Sequence, residues 1–474
     1  MPRRRPLAPL LGLALLVASC SFTRFDRSEC ERNADCRDAF GLGFVCAEGG
    51  FCEAGASEPR CARTWPANLL EEEGGDRIVI GTIVDASLAT HVARANAVQL
   101  AVEDASNAGG VDGRAFGLVT CTIEENADFD ALGRGEAALR VAAHLEEVIG
   151  APIVVGPPSS GETQAVFEAT EAMVLLSPSA TSPSLTALEP IPATDEVPGR
   201  LWRTAPTDEE QERQIVQDLE ARSVTDVIVV AQDGAYGDGL VALLSADFPD
   251  AEVVRFATEG QLGGALGVVS DSAAEEVIFI SSATDDTVSF LTAAAADPTL
   301  DDKRFFLTDA AANEDLLVGL PEGDTDLYAR IRGTRPATDP DLADDFARRY
   351  RIAFGESDVD ALSFTTHAYD AGWLALYGAS WALLQEGGVS PRGVARGLRQ
   401  VSGGAELDVG ELSWTQVVDA FAAGESVDVS GASGALDYDP ATEERAEGGS
   451  SFAVWVISRD GARICAADDA ACVM

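Results

Sequence analysis

From Arg77 onward the chain alternates short β-branched runs with amphipathic stretches, and this alternation restricts the fold more than any other feature. Arg77-Ile-Val-Ile-Gly-Thr82 reads as a buried strand, and Val98, Ala101, Val102 and Ala105 then share one face of a helix over 94–108. Gly109-Gly-Val-Asp-Gly113 closes that helix and turns the chain. A strand over 116–120, a helix over 131–148 and a strand over 153–155 follow. After Arg203 the pattern restarts with a helix over 209–221, a strand over 226–231 and a helix over 239–248. Strands at 252–256, 276–280 and 304–307 complete it. Repeated βα units build parallel sheets covered by helices on both faces. A chain of 474 residues exceeds what one core fills, so two such lobes are expected.

Two of the expected strands end in clusters of small hydroxyl residues, Gly156-Pro-Pro-Ser-Ser-Gly161 and Ser177-Pro-Ser-Ala-Thr-Ser-Pro-Ser-Leu185. In sheets of this kind ligands bind outside the carboxyl ends of the strands, where both clusters fall. Ser160 precedes a helix expected from about Glu162, so its hydroxyl and the following N–H groups face an entering anion. The alternative is that Ser159 or Ser160 caps that helix. Thr181 and Ser182 before Pro183 also read as an ordinary turn.

The N-terminus reads as a leader. Arg3–Arg5 form a positive region, 6–17 are mostly apolar, and Val17-Ala-Ser-Cys20 ends a cleavage box in cysteine. That box resembles the lipobox of bacterial lipoproteins, which implies a signal peptide over 1–19 and acylation of Cys20. The apolar stretch is too short for a membrane span of about 20 residues. Ser21, in place of an aspartate, points to the outer membrane. Eight further cysteines, Cys30, Cys36, Cys46, Cys52, Cys61, Cys121, Cys465 and Cys472, are most simply four disulfides in an oxidising compartment. The run C-x5-C-x9-C-x5-C from Cys30 to Cys52 lacks both a histidine and the tight pairs of a structural zinc site. Connectivity stays open, with Cys61–Cys121 and Cys465–Cys472 as candidate pairs.

With 33 Lys+Arg against 79 Asp+Glu the formal charge is −46, so nucleic acid and anionic membrane surfaces meet long-range repulsion. Such a surface favours cationic or zwitterionic small ligands. Hydrophobic residues at 46% describe a packed core, not a disordered chain. The three histidines, His91, His144 and His367, stand in no metal-ligand spacing, and no G-x-S-x-G elbow or phosphate-cradling loop occurs where its chemistry would need it. His144 reads as a surface residue and His367 as packing. The reading is a binding protein without cofactor or metal, not an enzyme.

Taken in order, Leu100-Ala-Val-Glu-Asp104, Asn107-Ala-Gly-Gly-Val-Asp-Gly-Arg114, Val155-Gly-Pro-Pro-Ser-Ser160, Ser177-Pro-Ser-Ala-Thr181, Trp202-Arg-Thr204, Tyr236-Gly237, Ala368-Tyr-Asp-Ala371 and Gly434-Ala-Leu-Asp-Tyr-Asp439 resemble the type I periplasmic ligand-binding proteins. Among these the resemblance is to the group serving branched-chain amino acid ABC transporters. It implies an α/β fold of two Rossmann-like lobes with parallel sheets and three hinge crossings, near Arg203, 332–336 and 434–437. Lobe 1 is then 76–203 with 333–433, lobe 2 is 204–332 with 434–474, and 20–75 is a Cys-rich tether. The resemblance places Ser160, Ser179 and Thr181 on a ligand's carboxylate and ammonium. It places Tyr236 on the opposite lobe and Asp309 against the ammonium.

Departures bear on the ligand. The loop over 82–91 and the run Ser281-Ser-Ala-Thr-Asp-Asp286 lack the aromatic residues that wall the pocket in relatives, which counts against a leucine-like side chain. Asp85, Asp285 and Asp286 read as solvated, or else as an acidic wall for a cationic ligand. The resemblance implies an extracytoplasmic lipoprotein that captures a small polar, amino-acid-like solute for an ABC permease or a sensor. The alternative is an outer-membrane interaction module of the same fold, similar to lipoproteins that regulate cell-wall synthesis.

Overall fold

The computed structural model describes residues 28–72, 77–126, 129–189, 191–355, 359, 362–446, 448, 449, 451–469 and 472. The expected leader and its Cys20 lie outside the described residues. Two sheets wound in the same order form two lobes. In the first, Phe116–Thr122, Ile78–Val84, Ile153–Val155, Val174–Ser177 and Leu201–Arg203 run side by side and parallel, with Arg63–Trp65 antiparallel on the outer edge. In the second, Glu252–Phe256, Val227–Gln232, Glu276–Ile280, Arg304–Leu307 and Ile331–Pro336 repeat that order. Phe452–Ile457 and Ile464–Ala466 then close its far edge antiparallel. Helices cover both faces, so strands such as Ile78–Val84 and Glu276–Ile280 are buried along their whole length.

Each lobe has its own core. In lobe 1 the 22-residue helix Thr365–Glu386 packs along Ala89–Asn107, and Trp202, Trp373, Trp414 and Tyr377 fill the space beside the sheet. In lobe 2 a row of phenylalanines, Phe256, Phe279, Phe290 and Phe305, packs ring against ring with centroids 4.4–6.0 Å apart. Helix starts differ from the sequence reading at two places that matter. Ala89–Asn107 begins before Arg94, which therefore sits inside the helix, and Ala235–Asp247 begins before Tyr236, which sits in its first turn.

Two lobe boundaries fall later than the resemblance implies. Ile331–Pro336 pairs with lobe 2 strands along its length, as far as Pro336 opposite Phe452, so the second crossing follows Pro336. Gly434–Ala435 pairs with Val427–Gly431, and Leu436 and Tyr438 are buried in the lobe 1 core. The third crossing therefore precedes Phe452. Buried Arg445 holds this segment by donating to the carbonyls of Thr204, Ser433, Ala435 and Gly449. The expected tether over 20–75 is also divided: Arg63–Trp65 belongs to the lobe 1 sheet, stapled by Cys61–Cys121. The helix Asn33–Phe40 and the hairpin Phe44–Cys46/Cys52–Ala54 form a small knot with Cys30–Cys46 and Cys36–Cys52 bridges. It is docked on lobe 1 through Asn33 and Arg37, which both donate to the Glu147 carbonyl. Cys465–Cys472 closes the C-terminal strand.

Candidate ligand-binding cleft

The carboxyl ends of the two sheets face each other across a cavity of about 650 Å³. Ser160, Ser179 and Thr181 line it from lobe 1, and Tyr236 and Asp309 from lobe 2. At the rim, Ser182 donates to the Ala235 carbonyl (2.7 Å) and Ser363 to the Asp309 carbonyl (3.1 Å), so the lobes touch across the cleft.

On lobe 1 the chain leaves the strand Ile153–Val155 through Gly156 at φ 105°, where a Cβ would lie 2.5 Å from the Ile83 carbonyl oxygen. Ser159 caps the helix Ser160–Ala169, its Oγ accepting from Glu162 N at 3.3 Å. Capping thus falls to Ser159, and Ser160 is the first helical residue. Ser160 Oγ accepts from Ser182 N (3.2 Å), tying the two hydroxyl clusters together and leaving its O–H as a donor. Ser179 Oγ donates to the Pro158 carbonyl at 2.8 Å. Asp208 N donates to the Thr181 carbonyl at 2.9 Å. One of the three expected ligand hydroxyls, that of Ser179, therefore donates within the protein.

On lobe 2, Tyr236 donates to Asp309 Oδ1 (2.5 Å), and Asp309 also accepts from Ala310 N. Gln211, its amide oriented to match its neighbours, donates to Asp208 Oδ1 (2.9 Å) and Tyr236 Oη (3.2 Å) and accepts from Asp309 N. Gly237 follows Tyr236 because a Cβ there would lie 1.9 Å from the Gln232 carbonyl oxygen. Burial pushes the Asp309 and Asp208 carboxyls up from their ordinary range, Asp208 strongly, with Asp309 adding like-charge repulsion. Burial also drives the Tyr236 hydroxyl well up, so it remains a neutral donor, and drives His91 well down, so it is uncharged.

Three groups escape the sequence reading. Arg94 is 6% exposed and donates to the Ser363 carbonyl (3.1 Å) and to Ser179 Oγ (3.3 Å). Its guanidinium lies 5.3 Å from the centroid of Phe364, a ring that the segment before Thr365–Glu386 delivers to the cavity. The expected lack of aromatic walls is thus corrected by a residue remote in sequence. Arg134 binds Asp85 and Glu162. Asp85 and Asp286, expected to be solvated, are 3% and 8% exposed. Asp85 is covered by Arg134 and Ser87, and Asp286 by Ser281 and Gln232, both at 3.0 Å. Asp285 is exposed. His144 is half-buried, and His367 is fully buried. An arginine in an otherwise Ala- and Val-rich helix was the one available signal for Arg94.

Comparison with known proteins agrees with this architecture. The chain is 26% identical over 353 residues to the chemotactic signal transduction system substrate-binding protein BasB of Halobacterium salinarum, covering 73% of this chain and 78% of that one. The branched-chain amino acid transporter substrate-binding protein LivJ of Streptococcus pneumoniae, solved with isoleucine, superposes with a TM-score of 0.60 at 18% identity, over 82% of this chain and 98% of that one. A solute-binding protein of R. palustris, solved with 4-hydroxybenzoate, gives 0.60 at 16% identity, over 82% and 95%. The family described as periplasmic binding protein matches residues 78–416. That span takes in the parallel strands of both sheets and the residues lining the cleft between them, and the chain belongs to the periplasmic binding protein family.

Proposed function

We propose that this protein captures a small, polar, amino-acid-like solute between its lobes and presents it to an ABC permease or a sensor. One observation carries the reading: the interlobe cavity sets lobe 1 hydroxyls and a helix N-terminus against the buried Tyr236–Asp309 pair of lobe 2. A helix N-terminus favours a carboxylate, and a buried carboxylate favours an ammonium. The solved relatives named above hold isoleucine and 4-hydroxybenzoate, both carboxylates, and the BasB relative serves chemotaxis, which supports the sensor branch. Acylation of Cys20 would tether the protein to the envelope, with the outer membrane favoured by Ser21.

A thermal-shift screen of amino acids, amides, small peptides and aromatic acids tests capture. A ligand at about 100 times its Kd adds roughly 2.7 kcal/mol of stability, a plain rise in Tm. No shift with any compound, or a shift untouched by Ser160→Ala with Thr181→Ala, overturns the reading. The first of those results would favour an interaction module, a role that the docked Cys-rich knot also suits.

A further inference from the structure

We infer that Arg94 is the anchor for the ligand's carboxylate, so that the cleft binds zwitterions with the anionic end on lobe 1 and the cationic end at Asp309 on lobe 2; this rests on the capture reading above. Arg94 projects from the helix Ala89–Asn107 into the cavity and is almost wholly buried. Among the described residues no carboxylate stands within ion-pair distance of it. Its two bonded donors meet neutral oxygens, the Ser363 carbonyl and Ser179 Oγ, and among the described residues Nη2 makes no hydrogen bond. A buried guanidinium left in that state is costly, and an anion in the cavity removes the cost. Arg134, the other arginine of the cavity, is already spent on Asp85 and Glu162.

The surroundings hold Arg94 in place for this task. Phe364 lies under the guanidinium with φ 63°, a left-handed backbone that a bulky residue adopts only where its surroundings impose it. Ser179, whose own proton goes to the Pro158 carbonyl, is an acceptor for Nη1 and fixes the fork. Burial lowers the Arg94 pKa to about 10, which leaves the group cationic at neutral pH. Asp309 faces it from lobe 2, and each favours the other's charged form. The Ser160 hydroxyl is placed to help, since it accepts from Ser182 N and keeps its proton to donate.

The test uses four acids and their decarboxylated counterparts: L-leucine with 3-methylbutylamine, L-lysine with cadaverine, L-glutamine with 4-aminobutanamide, and 4-hydroxybenzoate with phenol. Calorimetry on the wild type is expected to show at least one acid binding about 30-fold or more tightly than its counterpart. Arg94→Gln should remove that preference, and Arg94→Lys should restore part of it. Equal binding of acid and counterpart by the wild type overturns the assignment without recourse to a variant. So does an Arg94→Gln protein of native circular dichroism whose Kd for the bound acid stays within about threefold. If no acid and no counterpart binds, the capture reading itself falls and the Arg94 assignment with it.

Discussion

Gly237 has no room for a side chain, and that bears directly on the residue before it. A methyl group 1.9 Å from the Gln232 carbonyl must push the first turn of Ala235–Asp247 away from the strand end, carrying Tyr236 off Asp309. Gly237→Ala is expected to lose about 2 kcal/mol or more in urea unfolding, and unchanged stability would show that the turn relaxes freely. A second prediction concerns protons. The Tyr236 hydroxyl holds the buried Asp309 carboxyl down, against the desolvation that raises it. Tyr236→Phe removes that bond, so Asp309 takes up its proton at a higher pH. Binding of an ammonium-bearing solute then weakens on acidification sooner than in the wild type; Kd measured from pH 7 to 4 should display the displacement, and superimposable profiles would count against it. The Ser160, Thr181 and Tyr236 positions were legible because each sits in a short motif with its own turn chemistry. Arg94 was not, since a lone arginine on a helix is ordinarily a solvated one. Phe364 was not, since nothing local brings residue 364 next to residue 94.

At the scale of elements, the long helix Thr365–Glu386 does more than fill the lobe 1 core. Its buried Asp370 accepts from the backbone N–H groups of Ala432 (3.0 Å) and Ser433 (2.7 Å), pinning the turn that leads into the third crossing. Burial nonetheless pushes this carboxyl up to about 6. The native state therefore holds the proton more tightly than the unfolded chain, and the group's contribution to stability falls as pH rises from the ordinary carboxylate value to about 6. The loss is on the order of 3 kcal/mol. Asp370→Asn lacks that titration, so from pH 4 to 6.5 it should lose less stability than the wild type; equal losses in chemical denaturation would refute the assignment. The βα alternation of both lobes was visible in the sequence because parallel strands buried on both faces make nearly unbroken apolar runs. The extent of Ile331–Pro336 and of Gly434–Ala435 was not, because a strand that leaves one lobe for the other is assigned by its hydrogen-bond partners.

For the molecule as a whole, the Cys61–Cys121 bridge joins the segment after the knot to the lobe 1 sheet across 60 residues. Replacing both cysteines by serine releases that loop and is expected to cost about 2–4 kcal/mol, read as a lower Tm with ligand response retained. Tethering has its own test: Cys20→Ser should yield protein without acyl label, and labelling that persists would remove Cys20 as the anchor. What the sequence by itself determined is the class of fold and the strand ends that line the cleft, since period, turn residues and hydroxyl clusters are local signals. The tertiary structure alone decided the polarity of the cleft. Arg94, Phe364 and Asp309 stand far apart along the chain; helix packing within lobe 1 sets the ring against the guanidinium, and only the approach of lobe 2 brings the Asp309 carboxylate to the same cavity. Their electrostatics follow from burial, which depends on the packed neighbours of each group and not on its position in the chain.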